Sequence, residues 1–207
     1  STDPAVKAYA ENIRDFISNL SGRGYLSILT FLALGVCLTL IVQSSSAVMA
    51  ITVTLTLQGW ISFHDSAAIV LGENIGTTVT AWLASIGASA DAKRAARAHF
   101  LFNVLGVLWM VILFFPFTSM VDSLGDMLPD GFRTEKHDSD VGFKLAIFHT
   151  SFNLINICLL IGFIPLIARI VTKWVKDDTE ERSPRLQFIS QRILDIGELN
   201  IPEAENA

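Results

Sequence analysis

Residues 26–63 contain no Asp, Glu, Lys, Arg or His, an uncharged run of 38 residues. As one helix that run would be about 57 Å long at ~1.5 Å per residue, against a bilayer core of ~30 Å. It therefore has to fold back on itself. Its middle falls in Gln43-Ser44-Ser45-Ser46, the longest polar cluster within it. Two apolar arms with a polar tip predict a helical hairpin in a membrane, as two short spans or a re-entrant loop. In the second arm, Ile51-Thr52-Val53-Thr54-Leu55-Thr56-Leu57 alternates with period two, the mark of a strand. A lone strand in lipid would leave its backbone groups unpaired. The reading is a helix whose threonine hydroxyls bond back to the preceding turn.

Three further apolar segments follow. Segment 66–90 holds one charged residue, Glu73, and segment 98–121 none besides His99. Segment 143–171 carries Lys144, His149 and Arg169, and the two cations near its ends can snorkel. Pro116 and Pro165 are expected near helix ends, where a missing backbone donor matters least. The flanks differ. Thr2-Asp3-Pro4 reads as a helix start, and Val6, Tyr9, Ala10, Ile13, Phe16, Ile17 and Leu20 recur at helical spacing up to Gly22 and Gly24. This is an amphipathic helix for a membrane surface or a protein face. Beyond Lys173 the chain turns polar, Ser183-Pro184 reads as a linker, and 186–199 opens a helical region. The expected division is an interfacial helix (1–24), a membrane part (25–172) and a cytoplasmic linker with the start of a helical region (173–207). The fold class is all-α and polytopic.

Composition sharpens this picture. Hydrophobic residues make up 51% and charged residues 17% of 207, whereas a soluble domain carries roughly 25% charge. Net charge is −5, so there is no basic footprint for nucleic acid. Cys37 and Cys158 lie in apolar runs without a second thiol or a histidine at ligand spacing, and read as packing residues. The chain begins with Ser1 rather than Met, and is expected to be processed or cut from something longer. Loop 91–97 has three cations, tail 172–185 four, and loop 122–142 two against six acids. The positive-inside rule puts the first two in the cytoplasm and 122–142 outside, so that the hairpin opens outward. Lys7, Arg14 and Arg23 pull against that last step.

The polar residues inside these spans are the candidate chemistry. At the hairpin tip the first arm ends in free carbonyls, which suit Na⁺. The second begins with free N–H groups and serine hydroxyls, which suit an oxyanion. A plain serine N-cap is the simpler account of the same residues. Gly72-Glu73-Asn74-Ile75-Gly76-Thr77-Thr78 places an acid and an amide in the middle of an apolar span. The two glycines fit close helix packing, or they unwind the helix and expose carbonyls beside Asn74, Thr77 and Thr78, as an oxygen-rich cation site does. A charge at that depth costs ~2.5–3.5 kcal/mol. Finally His99-x-x-Phe102-Asn103 is echoed by His149-x-x-Phe152-Asn153, each putting a histidine and an asparagine on one helix face. Asn103 and Asn153, the deeper pair, are candidates for joining helices or touching an ion.

Together Gln43-Ser-Ser-Ser-Ala47, Gly72-x-Asn74-Ile-Gly76-Thr-Thr78 and the paired H-x-x-F-N motifs resemble the type II sodium–phosphate cotransporter family, its bacterial branch best, over residues 24–172. That family has two inverted repeats, each with a Q-S-S-S hairpin, and binds phosphate and Na⁺ between them near the midplane. The resemblance implies a phosphate site at Gln43, Ser44, Ser45 and Ser46. It implies that Asn74, Thr77 and Thr78 help hold sodium or shape the site; the residue chemistry above adds Glu73 as a sodium ligand, with Asn103 and Asn153 as further candidates. It implies sodium-coupled symport of inorganic phosphate across the cytoplasmic (inner) membrane, with Na⁺ as coupling ion, no other cofactor and no enzymatic step. Residues 186–207 resemble the beginning of a cytoplasmic domain similar to phosphate-uptake regulators. Two departures stand out. A single Q-S-S-S copy implies that the chain is the C-terminal repeat and needs an N-terminal inverted repeat as partner. Glu73 stands where the family often has a small residue, which leaves ion number and proton coupling open. A phosphate-responsive sensor signalling to the cytoplasmic region is the alternative of another class. A serine hydrolase lacks both the G-x-S-x-G context and a placed base.

Overall fold

The computed structural model describes residues 4–127 and 140–176. All regular structure among the described residues is helical. α1 is Pro4–Leu20, α2 Tyr25–Val42, α3 Ser45–Leu57, α4 Phe63–Ala84, α5 Ala90–Ile112, α6 Phe114–Asp126, α7 Asp140–Leu160 and α8 Ile164–Trp174, the last two joined by a 3-10 turn, Ile161–Phe163. Tyr25–Val42, Ala90–Ile112 and Val141–Trp174 are long and apolar enough to cross a membrane. Much of their apolar surface faces outward, for example Leu29 and Ile41 on α2, Leu108 and Ile112 on α5, and Leu154 and Leu159 on α7. That is the expected surface of an all-α membrane protein, whose outer face meets acyl chains rather than water.

The uncharged run folds back as its length requires. α2 ends at Gln43, whose backbone adopts the left-handed conformation (φ 56°) and donates its N–H to the Thr39 carbonyl at 2.8 Å. Ser44 is extended and caps α3, accepting from the Ala47 N–H at 3.4 Å. Two residues thus reverse the chain. The period-two segment is helical for the reason expected. Thr52, Thr54 and Thr56 donate to the carbonyls of Val48, Ala50 and Thr52 at 2.9, 2.7 and 2.7 Å. α3 has 13 residues, a rise of about 20 Å, short of a ~30 Å core.

α4 is the central helix. Ser62 and Asp65 form a capping box at its start, and the Ser21 hydroxyl also donates to the Asp65 carboxylate, tying the end of α1 to α4. From Asp65 to Glu73 every residue is buried. The expectation that Gly72 and Gly76 unwind this helix is corrected. α4 runs unbroken through both, and the glycines serve close packing against α2. A Cβ on Gly72 would lie 2.1 Å from the Leu32 carbonyl oxygen, one on Gly35 2.2 Å from that of Ile69, and one on Gly76 2.7 Å from the Thr39 Cβ. Removing three β-carbons lets the two backbones touch, the small-xxx-small arrangement. Because α2, α3, α5 and α7 all pack on it, α4 tolerates polar residues that a lipid-facing helix would not.

Two of the apolar segments are interrupted. The segment expected at 98–121 is interrupted at Leu113, between α5 and α6, and Pro116 follows in the first turn of α6. The segment expected at 143–171 breaks at the 3-10 turn, and Pro165 opens α8. Both prolines sit where no intrahelical N–H is needed. Cys37 and Cys158 are free thiols on the exposed apolar surface rather than in the core. The apolar face of α1 leaves Tyr9, Ile13 and Phe16 exposed, while Ile17 and Leu20 pack on the core. Loop 128–139 and tail 177–207, which bear the acidic loop and the linker expected from sequence, lie outside the described residues.

Candidate functional site

A cavity of about 450 Å³ opens where the N-terminus of α3 meets α4, α5 and α7. Ser45 and Ser46, the first two residues of α3, form one wall with Met49 below them. The capping serine before them leaves the opening N–H groups of α3 at this wall, a positive helix end beside two hydroxyls. Glu73, Asn74 and Thr77 form the wall from α4. The echoed motifs supply the remainder, His99, Phe102 and Asn103 from α5, and His149, Asn153 and Ile157 from α7.

The hydrogen bonds decide what each wall can offer. Asn74 Nδ2 donates to the Val70 carbonyl at 3.1 Å, Asn103 Nδ2 to that of His99 at 3.0 Å, and Asn153 Nδ2 to that of His149 at 2.8 Å. Each bond reaches back four residues within its own helix. Each of the three asparagines therefore spends one of its two amide hydrogens locally and keeps Oδ1, beside the second hydrogen, to offer the cavity. Thr77 likewise donates its hydroxyl to the Glu73 carbonyl at 2.8 Å, leaving an oxygen lone pair. Glu73 is 3% exposed, and Thr52 Oγ1 lies 3.4 Å from its Oε1. Facing the serine wall is thus a wall rich in acceptor oxygens, the donor set of a hard cation.

Seven of the ten site residues expected from sequence line this one cavity: Ser45, Ser46, Glu73, Asn74, Thr77, Asn103 and Asn153. Three do not. Gln43 is exposed at the turn. Ser44 caps α3, and its Oγ also lies 3.2 Å from Ser46 Oγ. Thr78 is 1% exposed and bonds to the Ile75 carbonyl at 2.7 Å, on a different face of α4. His99 and His149 lie in the wall beside their asparagines. A further buried polar residue, Asn156, was not marked by the sequence reading. Extending the H-x-x-F-N echo by one turn is the signal that finds it.

Comparison with known proteins gives the chain a family. Residues 2–128 match the model of the Na+/Pi-cotransporter family. "Uncharacterized protein YqeW" of Bacillus subtilis is 31% identical over 140 residues, 68% of this chain and 41% of that protein. "Putative inorganic phosphate export protein YjbB" of Salmonella typhimurium is 29% identical over 170 residues, 82% of this chain and 28% of that protein. "Sodium-dependent phosphate transport protein 2C" of Homo sapiens is 42% identical over 94 residues, 43% of this chain and 15% of that protein. The chain thus spans well under half the length of these relatives. No solved structure matches it. With the family model covering more than half of the sequence, the chain belongs to the Na+/Pi-cotransporter family.

Proposed function

We propose that this chain is one repeat, the C-terminal one, of a transporter that moves inorganic phosphate with Na⁺ across the cytoplasmic membrane. The observation that carries the proposal is the two-walled cavity. Ser45, Ser46 and the start of α3 supply donors for an oxyanion, and Glu73, Asn74, Thr77, Asn103 and Asn153 supply acceptor oxygens for the coupling ion. A phosphate dianion is costly at membrane depth unless cations enter with it, and opposed walls bring the two charges to one place. The chemistry is binding and release through alternating access, with no covalent step. Gln43 and Thr78 are read as shaping the hairpin and the α4 contact around the site.

The printed names of the relatives include both phosphate export and sodium-dependent phosphate transport. A symporter of this kind has no fixed direction, because the sodium and phosphate electrochemical gradients together set the sign of the flux. The test is phosphate uptake into proteoliposomes holding the full-length protein. Uptake should require inward sodium, reverse with the gradient, and lose about tenfold or more in apparent phosphate affinity in Ser45→Ala or Ser46→Ala. Such a loss corresponds to one hydrogen bond to a charged group, ~1.5–3 kcal/mol. Normal affinity in both variants would sink the site assignment.

One group of contacts, between α5 and the end of α8, favours the second reading, a phosphate-responsive sensor. Arg94 donates to the Val175 carbonyl through Nε and Nη2, at 3.2 and 3.0 Å, and Arg97 Nη1 donates to that of Trp174 at 3.3 Å. Arg97 also lies 5.8 and 5.7 Å from the Trp82 and Trp174 rings. The end of α8, from which the polar tail departs, is thereby clasped to α5, the helix carrying His99 and Asn103. Phosphate binding without accumulation would support the sensor over the transporter.

A further inference from the structure

The two echoed motifs continue one turn past their asparagines, as His99…Asn103-Val-Leu-Gly106 and His149…Asn153-Leu-Ile-Asn156. At the added position one helix has no side chain and the other has an amide. Asn156 is fully buried, at 0% exposure. Its side chain lies on Gly106, where a Cβ would come within 2.5 Å of Nδ2 and 2.7 Å of both Cγ and Oδ1. The Trp109 indole N–H donates to Asn156 Oδ1 at 3.0 Å, and the Trp109 ring packs 5.8 Å from that of Phe152. The joint between α5 and α7 is therefore a glycine notch, one amide seated in it, and an indole that fixes the amide's orientation. It stands one helical turn from Asn103 and Asn153.

Asn156 is a poor choice for packing alone. Its Nδ2 is buried with no hydrogen-bond partner, and an idle buried donor is unfavourable. A leucine has the same branched shape and carries no buried donor to leave idle. What the amide supplies is direction, since it bonds the indole in one orientation and fits the notch only when α5 and α7 are in one register.

We propose that Asn156 is a positioning residue, whose amide, held between Gly106 and the Trp109 indole, sets the spacing of α5 and α7 and with it the gap between Asn103 and Asn153 across the cation wall. The proposal rests on the reading of Asn103 and Asn153 as sodium ligands. Outer-shell partners of this kind change the affinity for the ion they position, while groups on the opposite wall keep theirs.

The test is a pair of titrations on the full-length protein in proteoliposomes, sodium at fixed phosphate and phosphate at saturating sodium. Asn156→Leu is expected to raise the sodium needed for half-maximal uptake by about tenfold, the lower end of the range for outer-shell partners. Half-saturation by phosphate and the amount of protein in the membrane should stay near wild type. Trp109→Phe, which removes only the indole donor and keeps a ring against Phe152, should move the sodium titration the same way by a smaller factor. It decides the matter if Asn156→Leu fails to reach the membrane. Asn103→Ala and Asn153→Ala test the reading beneath. If those two shift the sodium titration while Asn156→Leu and Trp109→Phe leave it unchanged, the positioning role is overturned and the ligand reading stands. If all four leave it unchanged, the ligand reading fails and the positioning role falls with it. Lower protein levels with both half-saturations unchanged would show a purely structural residue and also overturn the proposal.

Discussion

Ser44 and Ser45 are neighbours with different tasks. Ser44 Oγ accepts the Ala47 N–H and caps α3, whereas Ser45 lies in the cavity wall. Ser44→Ala should therefore act mainly on stability, costing ~1 kcal/mol as a lost N-cap, and Ser45→Ala mainly on phosphate affinity. Thermal unfolding in detergent, read beside phosphate titrations, separates the two. Glu73 is the sharpest case on the opposite wall. Glu73→Gln keeps an oxygen toward Thr52 and removes the ionisable group, so the sodium needed for half-maximal uptake should rise about tenfold, corresponding to ~1.5–3 kcal/mol for a charged contact. An unchanged sodium titration would remove Glu73 from the ion site. Most of these residues could be found from the sequence, because a polar group inside an uncharged run stands out against its background. The division of labour within the serine cluster could not. Which hydroxyl caps and which faces a cavity depends on where the turn falls, and the left-handed residue is Gln43 rather than a telltale glycine.

At the scale of elements, the hairpin followed from arithmetic on run length, and the helical state of α3 from the cost of unpaired backbone in lipid. The state of α4 did not follow, since glycine serves both unwinding and close approach. Only a partner helix decides between them. Here that partner is α2, whose own Gly35 faces the Ile69 carbonyl. Gly72→Ala has no room, with its methyl 2.1 Å from a backbone oxygen, and must push α2 off α4. Such overpacking typically costs 1–3 kcal/mol, so a marked loss of folded protein is expected by size-exclusion profile after extraction. Gly87→Ala, where nothing lies within 4 Å of the added carbon, should leave the profile unchanged. The breaks at Leu113 and at Ile161–Phe163 were also hidden, because the apolar pattern continues through both and only the following prolines hint at them.

For the whole molecule, the cavity has walls from four helices, yet Ser46 and Thr77 in those walls remain exposed, as does Gln43 at the tip. Polar groups at that depth face a severe penalty against lipid. A second repeat of opposite topology is the expected cover. The 207-residue chain alone, reconstituted in one orientation, should therefore fail to accumulate phosphate. Co-expression with an N-terminal repeat carrying its own hairpin should restore uptake, and sodium-driven uptake by the chain alone would refute the half-transporter reading. Orientation has its own test. With Cys37 and Cys158 replaced, a single cysteine at Ser123 should react with an impermeant reagent from outside and one at Ala95 should not, following the bias of Lys93, Arg94 and Arg97. The reverse pattern would invert the molecule.

The shortness of α3 has an electrical consequence. At 13 residues it reaches about two thirds of the way through a ~30 Å core, so its N-terminus lies within the region where the membrane voltage falls. One elementary charge crossing the whole core exchanges ~2.3 kcal/mol with a 100 mV potential. A sodium ion travelling the length of α3 to the cavity thus exchanges about 1.5 kcal/mol, roughly a tenfold change in occupancy. On the proposed sodium reading, loading the site is itself a charge movement. In voltage-clamped membranes it should appear as a transient current that depends on sodium and needs no phosphate.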